Sequence, residues 1–190
     1  NNDYVLLHDI YRNEYNINYS GQTLSNSVFC GGRNGRDWEF LITLANEMPD
    51  VQFNCVMPKD KYEQFKDHFG KNIKAKYDIP EKEFLEFMCQ SQLVVMPLDT
   101  ESPAGLIVIF QAAANDKMVI TSNTVTTDEY LIQGRGELCG HKTEEWKMKI
   151  RHYLQHKNEA QNCAVSFRTF LENECSEEVY LRILMKMLVK

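Results

Sequence analysis

The sequence predicts an α/β fold: a Rossmann-like, doubly wound parallel sheet of about six strands with flanking helices. Three observations predict it. From residue 28 to about 140, short apolar runs alternate with amphipathic segments. Several runs, LVVMPL at 93–98 above all, are apolar on both faces, as in a parallel sheet covered on two sides. Glycines follow the first strand and precede the helix of 101–115, where such folds turn.

Each element has its own signal. VFCGG (28–32) is a short strand ending in glycines. RDWEFLITLANEM follows as a helix, with Trp38, Leu41, Ile42, Ala45 and Met48 on one face and Asn34 as the expected N-cap. VQFNCVM (51–57) alternates as a strand, and KDKYEQFKDHFG is a helix closed by Gly70. NIKAKY (72–77) is the third strand, and Ile79-Pro80 opens the helix EKEFLEFMCQ. LVVMPL is stopped by its proline. The stretch ESPAGLIVIFQAAAND reads as a helix starting at Ser102-Pro103, with KMVIT (117–121) as the next strand. TTDEYLIQ is a short capped helix, ELCG a brief strand, and helices at 143–156, 159–173 and 177–189 close the chain. Residues 1–26 are irregular and rich in Tyr and Asn, and read as an arm leading into the domain.

Composition narrows function. The chain has 190 residues, 43% hydrophobic and 25% charged, with a net charge of −6. That balance argues against nucleic acid, which selects a basic face, and against docking on an anionic membrane. No apolar run is long enough to insert in a bilayer. Six cysteines sit at 30, 55, 89, 139, 163 and 175, mostly within apolar patterns and without a CxxC pair. They read as reduced core residues of a cytoplasmic protein. His152 and His156, spaced i, i+4, have no third ligand nearby and read as a solvated helix face.

Two loops carry candidate chemistry. In GGRNGRDW (31–38), glycines let backbone amides approach an anion, and Arg33 and Arg36 add two guanidinium forks suited to a diphosphate. The dinucleotide fingerprint and the Walker loop both need residues that are missing. The plain alternative is a tight turn with two solvated arginines. In SPAGL (102–106), the free amides of Ala104, Gly105 and Leu106 would point from a helix N-terminus at a phosphate above the sheet. Alternatively, Gly105 lets two backbones pack, and Gln111 is a core glutamine serving a nearby loop. Both loops follow strands of one parallel sheet, so both emerge on one edge, a plausible diphosphate crevice.

From about 27 to 175 the order of these motifs resembles the C-terminal half of a GT-B fold glycosyltransferase, nearest to family 4 of the retaining, nucleotide-sugar-dependent enzymes. The residues that carry the resemblance are VFCGGRNGRDWEFLITLANEMPDVQFNCV, KYDIPEKEFLEFMCQSQLVVMPL, SPAGLIVIFQAAANDKMVIT and TTDEYLIQGRGELCGHKTEEW. The resemblance implies that Gly32, Arg33 and Arg36 hold the donor diphosphate, with the two arginines stabilising the leaving group. Tyr77 and Asp78 would flank the base. Ser102, Ala104, Gly105 and Leu106 would form the helix start beneath the phosphates. Gln111 stands where the family keeps the acid that holds the ribose. The acid eight positions earlier falls on Pro103, with Glu101 displaced by two as the residue nearest the transferred sugar. Asn115-Asp116 replaces a Cys/Gly-Gly turn, and Met118 a frequent proline.

The implied activity is transfer of a sugar from a UDP- or GDP-sugar to a polysaccharide or lipid-linked acceptor. No permanently bound cofactor and no metal are implied, and no Asp-x-Asp motif occurs. The implied domain plan has residues 1–26 as a linker from an acceptor-binding domain upstream and 27–175 as the nucleotide-sugar domain. Residues 176–190 would be a helix packing back on the upstream domain. The full-length protein is expected to be cytoplasmic or peripheral to the inner face of the membrane. Two other readings are a non-catalytic scaffold for an active partner and a nucleotide-sugar 2-epimerase, whose acidic and histidine cleft residues are not found here.

Overall fold

The computed structural model describes residues 7–100 and 102–188. Strands β1 (Ser27–Gly31), β2 (Gln52–Met57), β3 (Ile73–Tyr77), β4 (Leu93–Met96), β5 (Met118–Ser122) and β6 (Glu137–Cys139) form one sheet. All neighbours are parallel, in the order β3-β2-β1-β4-β5-β6. Helices α1 (Trp38–Asn46), α2 (Lys59–Phe65), α3 (Glu81–Cys89), α4 (Leu106–Ala114) and α5 (Val125–Leu131) make the crossovers. Helices α6 (Thr143–Gln155), α7 (Lys157–Glu174) and α8 (Glu177–Leu188) follow. This is the doubly wound, Rossmann-like fold that the alternation of elements predicts.

The period of two along β1 sorts the core into two layers. Val28 and Cys30 face one side with α1 and the Trp146–Ile150–Leu154 stripe of α6. Phe29 faces the other with α3, α4 and the Phe167–Leu171 end of α7. Every residue of β1, β4 and β5 is buried, which is why these runs carry no polar alternation.

The strand order sets where a ligand can bind. The chain winds from β1 out to β3, then returns to lay β4 on the other side of β1. The loops after β1 and β4 therefore diverge at the carboxyl edge and open a crevice between them. They are the two loops carrying Arg33-Arg36 and Gly105. Backbone bonds tie their bases together: Asp37 N donates to Pro97 O at 3.0 Å, and Asp99 N to Gly35 O at 3.2 Å.

Two local expectations need correction. The N-cap of α1 is Asp37, which accepts from Phe40 N at 2.9 Å, because the chain still turns at Gly35 (φ 66°) and helical geometry starts only at Trp38. Helix α4 does not start at Ser102-Pro103. Those residues form bends, and the N-cap is Gly105 at φ 85° with no side-chain cap. The described part of the arm, in turn, is anchored to the domain. Tyr11 is 5% exposed, packs edge-on against Phe110 and Tyr15, and donates its N–H to Cys175 O at 2.8 Å.

Candidate functional site

A cleft of about 880 Å³ lies at the β1/β4 divergence, within the range of small-molecule sites. One wall is the β1–α1 loop, with Gly32, Arg33, Asn34 and Arg36. The floor is the turn before α4 and the first residues of that helix, from Pro103 to Val108. The third wall is the arm, Leu7 to Ile10 with Arg12 and Tyr15, closed by Tyr180 of α8.

Arg36 is the centre of the charged end. Its side chain is 6% exposed. Nε donates to Gly31 O at 2.9 Å and Nη1 to Asn34 O at 2.8 Å. A guanidinium carries five N–H donors, so three are left for a ligand. Burial lowers its pKa, the charge of Asp99 opposes that, and an arginine so held stays charged. Two glycines make its seat. A Cβ on Gly32 (φ 126°) would come within 2.5 Å of Nη2, and one on Gly105 (φ 85°) within 3.2 Å of Nη1. Both glycines serve the backbone's positive φ and the space the guanidinium fills.

The helix end supplies the complementary donors. The first intrahelical bond of α4 runs from Ile109 N to Gly105 O at 3.0 Å. The amides of Leu106, Ile107 and Val108 therefore lack helical acceptors, and all three residues line the cleft. A buried arginine beside amides without helical acceptors is a donor set that suits an oxyanion.

Arg33 reaches outward, its side chain 75% exposed, and pairs with Asp78 at 3.2 Å. That pair links the β1–α1 loop to the turn after β3, where Asp78 holds φ 48°. The structure thus gathers Gly32, Arg33, Arg36, Ala104, Gly105 and Leu106 on one cleft, with Asp78 joined through Arg33. Tyr77 does not line it; its ring lies on Tyr62, centroids 4.8 Å apart. Ser102 is exposed and donates its N–H to Thr100 Oγ1. Glu101 lies outside the described residues.

Gln111 is 4% exposed and does not line the cleft; its Nε2 donates to Glu81 Oε1 of α3 at 3.1 Å. An amide in an otherwise apolar helix has found an acceptor, as a buried polar group must. A carboxylate at 111 would stand against Glu81 with both charges facing. The chain keeps one acid and one amide there instead. Sequence reasoning missed Glu81, because an acid in a first helical turn already has an explanation in the helix dipole. It also missed the arm residues of the cleft, which carry no periodic signal.

A family model described as glycosyl transferase-like matches residues 33–178. Among solved structures, the chain is similar to TarM, at 18% identity and TM-score 0.73, with 97% of this chain and 37% of TarM covered. It is similar to the Anabaena protein Alr3699/HepE, whose structure holds UDP-glucose, at 14% identity and TM-score 0.72, covering 87% and 49%. It is also similar to sucrose-phosphate synthase from Thermosynechococcus elongatus, at 16% identity and TM-score 0.72, covering 95% and 50%. The chain spans half or less of the length of these structures. No curated protein matches it in sequence.

Proposed function

Because this chain belongs to the glycosyl transferase-like family, we propose that it is the donor-binding half of a retaining glycosyltransferase. The full enzyme would move a sugar from a UDP- or GDP-sugar to a polysaccharide or lipid-linked acceptor. The observation that carries the reading is the seat of Arg36 between Gly32 and Gly105, facing the open amides of α4.

The chemistry follows from that seat. As the bond from the anomeric carbon to the diphosphate oxygen lengthens, negative charge grows on the departing β-phosphate. Donors fixed in advance, in a site largely shielded from water, stabilise that charge at no reorganisation cost. Arg36 is fixed by two backbone carbonyls, and the amides by the helix. Arg33, steered by Asp78, would close the rim. UDP-glucose in the structure of the similar HepE protein supports a nucleotide-sugar donor. An acceptor domain would lie in the part of the protein that the longer matched structures possess and this chain does not span. The uncovered apolar side chains of α8, with Leu181 49%, Met185 59% and Leu188 72% exposed, offer it a seat.

A second reading is a scaffold without turnover. The Gln111 amide, where the family keeps an acid, is taken up by Glu81, which favours it. Transfer or release of radiolabelled sugar from UDP- and GDP-sugars by the full-length protein separates the two. Turnover that Arg36→Ala lowers at least a hundredfold supports the enzyme, on the scale of losing an oxyanion donor. Donor binding without any turnover supports the scaffold.

A further inference from the structure

We infer that Arg12, on the arm, is a further diphosphate ligand that reaches the donor from the arm wall of the cleft. The inference rests on the donor-binding reading above and adds a residue outside the sheet's own loops.

The arm is built to hold that position. Asp9 N donates to Tyr130 Oη at 3.0 Å, and Tyr11 N to Cys175 O at 2.8 Å. Beyond Arg12, Asn115 Nδ2 donates to Tyr15 O at 2.7 Å, and Ile17 N to Asn115 Oδ1 at 3.1 Å. Arg12 itself is extended (φ −119°, ψ 129°) between these anchors. Its backbone is fixed on the cleft wall and its long side chain is exposed. Among the described residues it makes no ion pair and no side-chain hydrogen bond, although acids stand close by.

Those acids decide the argument. Behind the arm, Glu14, Glu172, Glu177 and Glu178 line a shallow hollow of about 640 Å³ that Arg12 also borders. Asp9 lies on the arm itself. Arg12 borders both the cleft and that acidic hollow, and on the arm wall of the cleft it offsets the charge of Asp9. The β1–α1 wall has one deeply seated cation, Arg36, since the charge of Arg33 is partly balanced by Asp78. A nucleoside diphosphate carries at least two negative charges, so a further, adjustable fork on the arm wall of the same cleft complements it in charge.

The test is calorimetric titration of wild type, Arg12→Gln, Arg12→Lys and Arg36→Ala with UDP and GDP, then with the nucleoside and monophosphate of the better binder. Salt is varied from 50 to about 300 mM, where exposed charge pairs are screened progressively. Arg12→Gln is expected to weaken diphosphate binding at least fivefold, leave nucleoside binding unchanged and flatten the salt dependence. Arg12→Lys should recover part of the loss. An unchanged thermal midpoint shows that the exposed substitution leaves the fold intact. If Arg36→Ala weakens the diphosphate while Arg12→Gln binds like wild type, the inference is overturned and the donor reading stands. If wild type binds neither diphosphate, the donor reading falls and takes the inference with it.

Discussion

Gly105 and Gln111 stand one and a half helical turns apart and do different work. At Gly105, a methyl group would meet Met96 Cε at 2.7 Å and Arg36 Nη1 at 3.2 Å, in a backbone conformation at φ 85° that a side chain disfavours. Gly105→Ala should cost about 1–3 kcal/mol of stability, read from a denaturant midpoint. Because the guanidinium is pushed from its seat, diphosphate affinity should fall further than stability does. At Gln111 the substitution of interest is the acid. Gln111→Glu sets a second carboxylate against Glu81, so one of the pair has its folded pKa raised above the unfolded value of about 4.3. Any stability of that pair is present below pH 4.3 and is lost as pH rises through the raised value. The variant should therefore be nearly as stable as wild type at pH 4 and about 1 kcal/mol less stable at pH 7, the partial exposure of Glu81 limiting the effect. Equal stability of the two proteins at both pH values would show that Glu81 simply swings away. A core glutamine at 111 and close packing at Gly105 were legible as alternatives; the partner Glu81 and the seat of Arg36 were not. The residue types were, but whether an arginine lies under a loop or over it depends on space left by glycines far apart in the chain.

At the scale of elements, the arm and the start of α4 show where pattern reading stops. The helix signal at Ser102-Pro103 is sound as propensity, yet the chain must first turn back over β4, and Gly105 is where that turn is sterically free. The arm lacks periodicity altogether. Its anchor, Tyr11, is fixed by Cys175, distant in sequence, and by the ring of Phe110. Tyr11→Ala should cost about 3 kcal/mol, as for a buried aromatic, and should expose the arm to limited proteolysis before residue 26. Retained protection would mean that the remaining anchors, at His8, Asp9, Tyr15, Ile17 and Leu24, hold it. Burial raises the Tyr11 hydroxyl to about 12, with Glu172 adding to the shift. Its folded pKa lies above the ordinary 10, so its contribution is intact below pH 10 and lost between 10 and about 12. Arm protection, followed by hydrogen exchange, should decline across that window.

For the molecule as a whole, alternation of strands and helices was enough to read a doubly wound sheet, because burial on both faces leaves a continuous apolar signature. The order β3-β2-β1-β4-β5-β6 was not itself readable, although it is what brings the loops of Arg36 and Gly105 side by side. The same two-layer burial governs the thiols. Cys30, Cys55, Cys89, Cys139 and Cys175 are buried, and desolvation raises Cys30 and Cys139 to about 12. A colorimetric thiol titration of the native protein at pH 8 should report slow reaction at Cys163 alone, and six thiols after unfolding. Prompt reaction of more than one would mean that a layer opens readily. The central claim, that Arg36 and the start of α4 form a diphosphate seat, is tested most directly by titrating UDP and GDP into wild type and Arg36→Ala, with folding of both checked by circular dichroism. The structure predicts measurable binding of one diphosphate to wild type and at least a tenfold loss in the variant. Equal binding by two folded proteins would contradict it.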